Sequence, residues 1–303
     1  MLAALLLGLV VLCRAQAKDP SSEWKFKALV NADYRLDPDR EPVFKWRRVR
    51  GIATGPLSGR AMAKVQVDRS TAKLRFLDLY TTWTAVKGPA NVDLTLGQFF
   101  PAYAKDGWDL PKGVDYAWVT EALGIQAREG GFQVAATFNK RYQVAAGVFN
   151  GAQTLLNDPN DRPLYMLSAS VMRPTWKARL WGMAGYDGPS SLVQQETWMY
   201  GVELTDVRCG RLNAEASWMA GDRFGRKVSG IYGDLGWTFD AKTRAFVRAE
   251  WCDRNSKVPG NDHTRFTLAV QRNLIKHVVG KWDTQYQSDT GDLRGVAQLD
   301  MRF

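Results

Sequence analysis

The chain is poor in the residues that most soluble enzymes and metal proteins use. Among 303 residues there are two His, His263 and His277, and three Cys, Cys13, Cys209 and Cys252. Neither histidine stands at a useful spacing from a Ser or an Asp. No CxxC, H-E-x-x-H, G-x-S-x-G or phosphate-binding glycine loop occurs, which removes the usual sequence signatures of zinc sites, nucleophile-elbow hydrolases and nucleotide binders. No metal or cofactor is therefore expected. Long apolar runs are also scarce. The one continuous run, MLAALLLGLVVLC, is too short to span a bilayer, which takes about 20 residues as a helix, and it leads into Arg14 and the A-x-A pattern Ala15-Gln16-Ala17. Residues 1–17 are read as a secretory signal peptide and 18–303 as the mature protein. A helical period of 3.6 is missing throughout, and the cations do not cluster, although the whole chain carries a net charge of +10. Export and scattered cations together argue against a nucleic-acid partner.

What the sequence has instead is period-2 alternation, repeated along its whole length. Trp24, Phe26, Ala28, Val30, Ala32 and Tyr34 alternate with Lys25, Lys27, Asn31, Asp33 and Arg35. The same pattern recurs in Trp176–Tyr186, Trp198–Thr205, Leu212–Trp218, Ile231–Phe239 and Ala245–Trp251. Such runs are strands with one apolar face. The apolar face carries aromatics at the strand ends and small or aliphatic residues between, the pattern of a lipid-facing band with interfacial girdles. The other face reads as mixed charged and polar, with no second apolar layer for a soluble sandwich to pack against. A secreted β-sandwich binding protein is the alternative.

Sixteen strands are predicted, at 24–35, 43–54, 60–68, 74–85, 91–99, 124–138, 142–150, 164–173, 176–186, 196–205, 211–221, 228–239, 244–254, 262–272, 275–287 and 293–303. A bulge is expected at Gly130-Gly131, where the parity of the sixth strand changes. One set of connections is short and the alternate set mostly longer, with both termini on the short-turn side. An all-β transmembrane antiparallel barrel with short periplasmic turns and longer extracellular loops, in a bacterial outer membrane, accounts for this. Barrel closure leaves no unpaired edge in lipid, and a barrel of this size keeps a water-filled lumen. Cys209 and Cys252 then fall at opposite ends and should be free thiols.

Parity places a set of cations on the lumen side: Lys25, Lys27, Arg35, Lys45, Arg47, Lys64, Lys177, Arg179, Arg248, Arg265, Lys281, Arg294 and Arg302. Inward acids are fewer, so a modest preference for anions follows, unless the charges only pair across neighbouring strands. The longest connection, 100–123, is expected to fold inward as a constriction carrying Lys105, Asp106, Asp109, Lys112 and Asp115. Passive diffusion of small hydrophilic solutes is the expected function. A hydrolase at the barrel rim is the enzymatic alternative.

Four runs carry a resemblance. FKWRRVRGIATGPL (Phe44–Leu57), LRFLDLYTTW (Leu74–Trp83), DLTLGQFFPAYA (Asp93–Ala104) and QVAAGVFNGA (Gln143–Ala152) resemble the phosphate-selective porin O and P family in order and spacing. Arg47, Arg48 and Arg50 match that family's basic run, and Gly97, Gln98 and Phe99 its G-Q-F. The resemblance implies a homotrimeric sixteen-strand porin in the lipid bilayer that passes small anions such as phosphate. It also implies that Phe303, at the end of LRGVAQLDMRF, serves as a signal to the barrel-assembly machinery. The constriction loop departs from the family in having only Lys105 and Lys112 as basic residues.

Overall fold

The computed structural model describes residues 23–37, 40–69, 74–102, 118–123, 128–151, 162–188 and 195–303. Residues 1–17, expected to be a signal peptide, lie outside them. Sixteen strands and one short helix follow in chain order: β1 (Lys25–Asp37), β2 (Arg40–Ser58), β3 (Ala61–Asp68), β4 (Arg75–Val86), β5 (Ala90–Phe99), α1 (Trp118–Ala122), β6 (Glu129–Phe138), β7 (Tyr142–Phe149) and β8 (Leu164–Arg173). The second half comprises β9 (Trp176–Asp187), β10 (Gln195–Cys209), β11 (Leu212–Arg223), β12 (Arg226–Thr238), β13 (Thr243–Asp253), β14 (Asp262–Ile275), β15 (Val278–Gln287) and β16 (Leu293–Arg302). Each strand pairs antiparallel with its neighbours in sequence, and β16 closes on β1.

Strict alternation decides which way each face points. On β9, Leu180 is 58 % exposed and Arg179 only 4 %. Trp46, Tyr165, Leu167, Trp198, Leu235 and Trp282 all stand out on the convex face in the same way. A broad apolar outer surface with a buried polar inner wall is the inverse of a soluble protein, and it fits a bilayer as solvent. The closure fixes the register of the whole sheet. Asn31 and Asp300 share a hydrogen bond across the seam, and Gln298 Nε2 donates to Asp33 at 2.6 Å. Ala28 and Phe303 exchange both backbone hydrogen bonds, at 2.8 and 2.9 Å.

Three expectations need correction. The β5–β6 ladder runs without a register shift from Ala90↔Phe138 to Phe99↔Glu129, so Gly130-Gly131 is regular strand and no bulge lies there. The parity change has another source: β6 begins at Glu129, after a helix, and not at 124. Gly131 is required there because a Cβ would collide with the backbone of Val148 and the ring of Phe149. The connection expected over Asp222–Lys227 shrinks to Phe224-Gly225, both at positive φ, because β11 and β12 pair out to Arg223↔Arg226. Two residues with φ > 0 suit the twist of a tight hairpin. The third correction concerns the inner face. It does hold a second apolar layer, described below. Cys209 is exposed, Cys252 is buried, and both are free.

Candidate functional site: the inner wall of the lumen

The inner wall divides into two sectors. From β5 round to β13 its outer half is apolar. Phe99, Phe149, Leu164, Met166, Trp181, Met183, Met199, Met219, Val228, Tyr232 and Cys252 form one buried cluster with Val119 and Leu123. Strand pairing puts these side chains on the lumen side, in line with Ser168, Glu203 and Ser217. The layer exists to seat α1, not a second sheet. The chain leaves the wall at Phe99 on β5, yet α1 lies against β12 and β13, seven strands round the barrel. Val119 is fully buried, and its methyl occupies the space that a side chain on Gly230 would need. The Val119 N–H donates to Glu250 Oε1 at 3.3 Å, and Arg223 Nη1 donates to the Leu123 carbonyl at 3.0 Å. Arg223 is itself held by the buried Asp187. A five-residue helix has no stability of its own, so its order comes from this seat. The end of the longest connection is therefore inside the barrel. Lys105, Asp106, Asp109, Lys112 and Asp115 lie outside the described residues.

The other sector, from β15 through β1 to β5, is charged and open. It bounds a cavity of about 670 Å³. Seven cations line it, Lys27, Arg48, Arg50, Lys64, Arg128, Lys281 and Arg302, against two carboxylates, Asp78 and Asp300. Each carboxylate serves two cations. Asp78 takes Lys64 at 2.6 Å and Arg128 at 2.5 Å, and Asp300 takes Lys281 at 2.7 Å and Arg302 at 3.6 Å. Arg50 Nε meets Asp68 at 3.1 Å, just behind the cavity wall. Positive charge is in excess here even when Asp68 is counted.

All thirteen cations predicted by parity stand at inward positions, but they divide between the sectors. Arg179, Arg248 and Arg265 are paired with Glu203, Asp234 and Glu250 at 3.0, 2.6 and 2.9 Å, so they contribute little net charge. Arg47 reaches Asp33 at 3.4 Å. Lys27, Lys64, Lys281 and Arg302 belong to the cavity, while Lys25, Arg35, Lys45, Lys177 and Arg294 lie elsewhere on the inner face.

Parity missed Arg48 and Arg50. Counting through β2 from Lys45 and Arg47 would turn both outward. The pairing of β1 with β2 shifts between Asn31↔Arg48 and Ala32↔Trp46, leaving Arg47 as an extra residue. A bulge of this kind reverses the alternation beyond it. Arg47 and Arg48 consequently both reach the inner face, and Arg50 and Ile52 follow. The signal was present in FKWRRVRG, where Trp46 and Val49 have opposite parity and both must face lipid. Arg128 was also missed, because it precedes a strand whose start was misplaced.

The histidines do not assemble a hydrolytic site. His263 pairs with Asp289 near the loop rim, and His277 sits at positive φ in the opposite turn. No group of three or more potential metal ligands occurs among the described residues.

A closed sixteen-strand antiparallel barrel with an apolar outer belt and a charged lumen is an outer-membrane barrel of porin architecture. Solved structures agree. OmpT, an outer-membrane protein of Vibrio cholerae in trimer form, is similar with a TM-score of 0.66 at 9 % identity, over 93 % of this chain and 99 % of that one. A porin refined at 1.8 Å resolution gives 0.62 at 14 % identity, over 93 % and 100 % of the two chains. Pseudomonas putida OprB gives 0.65 at 12 % identity, over 93 % and 94 %. Identities this low speak for the fold alone. No family model matches the sequence, and no curated protein matches it.

Proposed function

We propose that the protein is a non-enzymatic, passive diffusion pore for small hydrophilic solutes with a weak preference for anions. One observation carries this: seven basic side chains against two acidic ones, Asp78 and Asp300, line the cavity in the open sector of the lumen. Uncompensated charge of one sign in a low-dielectric wall concentrates counter-ions. The opposite sector adds little because its cations are matched by carboxylates. The constriction expected of segment 100–123 belongs to this reading, and the seating of α1 on the inner wall supports it. Phosphate is among the anions passed, a point resting on the resemblance of Arg47, Arg48 and Arg50 to the basic run of the phosphate-selective porins. The chain works as a homotrimer, by analogy with the trimer form of the Vibrio OmpT, and Phe303 marks it for the barrel-assembly machinery.

Planar-bilayer conductance in a potassium chloride gradient tests the proposal, with phosphate added to one side. The zero-current potential should carry the sign of anion preference, and phosphate should carry measurable current. A potential of the opposite sign removes the anion preference. Absence of conductance from a heat-modifiable, folded barrel removes the pore.

A further inference from the structure

The cavity is not lined by charge alone. Between its cations stand Leu29, opposite Arg50 and Arg302, and Ile52, opposite Lys27. At its other border are the rings of Tyr80 and Phe100, with Phe99 beside Tyr80 but only 4 % exposed. Tyr80 and Phe99 pack edge to face with centroids 5.6 Å apart, and the Arg128 guanidinium lies 4.1 Å from the centre of the Phe100 ring. A hydrated inorganic anion gains nothing from rings or aliphatic side chains. A wall meant only to attract such ions would be polar throughout between its cations, as this one is at Asn31 and Gln66. Apolar surface kept in contact with lumen water costs free energy unless something covers it part of the time. The space, about 670 Å³, is that of a small-molecule site.

We propose that this cavity is a binding station for amphipathic organic anions, with an aromatic monocarboxylate as the fitting class. The carboxylate is held by Arg50, Arg302 and Lys27, and the ring lies against Phe100, Tyr80 and the aliphatic side chains. The proposal deepens the anion-preferring pore of the previous section and depends on it. Electrostatics draws the solute in, and weak apolar contact holds it long enough to be passed inward.

Benzoate block of chloride current tests this, with acetate, inorganic phosphate and benzyl alcohol as comparison solutes in the same bilayers. Benzoate should block in a saturable way at concentrations about tenfold below acetate, the gain expected of one ring contact. Benzyl alcohol and phosphate should be weaker than benzoate. The benzoate-to-acetate ratio should fall toward one in Phe100→Leu. In Arg50→Gln both anions should weaken together with the ratio kept, so that a variant lost in folding leaves the other to decide. Equal block by acetate reduces the station to charge alone and overturns the proposal. So does stronger block by phosphate, or equal block by benzyl alcohol. Anion-preferring current that benzoate does not block overturns the station and leaves the pore standing. Cation-preferring current overturns both.

Discussion

Gly230 is where the lumen's internal helix meets the wall, and replacing it should release that helix. A Cβ built there would fall well inside contact of the Val119 methyl and 3.2 Å from Leu123 Cδ1. Carbon atoms settle at about 3.5–4.0 Å, so in Gly230→Ala the helix must retreat by about an ångström or more. It cannot do so and stay seated, because Val119 and Leu123 are 0 % and 3 % exposed. Overpacking of this kind costs about 1–3 kcal/mol. At about 2 kcal/mol the ratio of seated to unseated helix falls about thirtyfold. Gly230→Leu should unseat it fully, since full burial of a Val or Leu side chain gives only about 1.5–3 kcal/mol. The assay is single-channel recording of folded, heat-modifiable barrels. Gly230→Ala should bring flickering between two current levels, and Gly230→Leu a steady, larger conductance. Gly230→Ala combined with Val119→Ala should return the trace toward wild type by removing the colliding methyl. Wild-type conductance and noise in both single variants would refute the idea that the seated helix bears on the pore.

Other outcomes follow from the same geometry. Arg248 donates to Asp234 through Nε at 2.6 Å and Nη2 at 2.9 Å, both side chains almost wholly buried. Arg248→Gln strands that carboxylate and should cost about 3–5 kcal/mol, read as a lower temperature of heat-modification, whereas Arg208→Gln at the exposed rim should cost under about 1 kcal/mol. In the turn after β12, Asp240 accepts the amides of Lys242 and Thr243 at 2.6 and 2.8 Å, and these bonds hold its carboxyl below the usual value of 3.8. A depressed folded pKa means its support for the turn is present above that value and lost as pH falls through the lower one. Amide exchange at Lys242 and Thr243 should therefore show lost protection only in strong acid, and in Asp240→Ala at every pH. Deleting Phe303 removes both bonds to Ala28 and should reduce membrane yield much more than the conductance of barrels that do assemble. Equal yield would count against that.

Much of the barrel was legible because a lipid-facing strand is written in two signals at once, period and position. Trp176 to Tyr186 shows both, with rings at the ends and Ala178, Leu180 and Gly182 between. Strand number and direction followed from counting such runs. Two things were hidden for physical reasons. Parity carries a side chain's direction only until a ladder slips, and the slip at Arg47 concealed Arg48 and Arg50, the heart of the charged sector. The apolar inner layer was hidden because Met183, Met199 and Met219 occupy positions that look like ordinary lumen positions until α1 is placed over them. Their tolerance for glycine neighbours was the available hint. A side chain on Gly201 would strike the indole of Trp181, and one on Gly221 the backbone and side chain of Met199. Inward glycines beside bulky inward residues mark a wall shaped to hold something.

The seam between β1 and β16 also governs how the chain must be delivered. Its side-chain contacts join residues 265 and 269 positions apart, and its backbone pairing ties the first strand to the last. Contacts so distant are formed late, because loop-closure entropy must be overcome before they give anything back. Until then β1 presents an unpaired edge of 13 residues, an open template for other chains. A half-made barrel would therefore leave that edge open to other chains until its last strand is at hand.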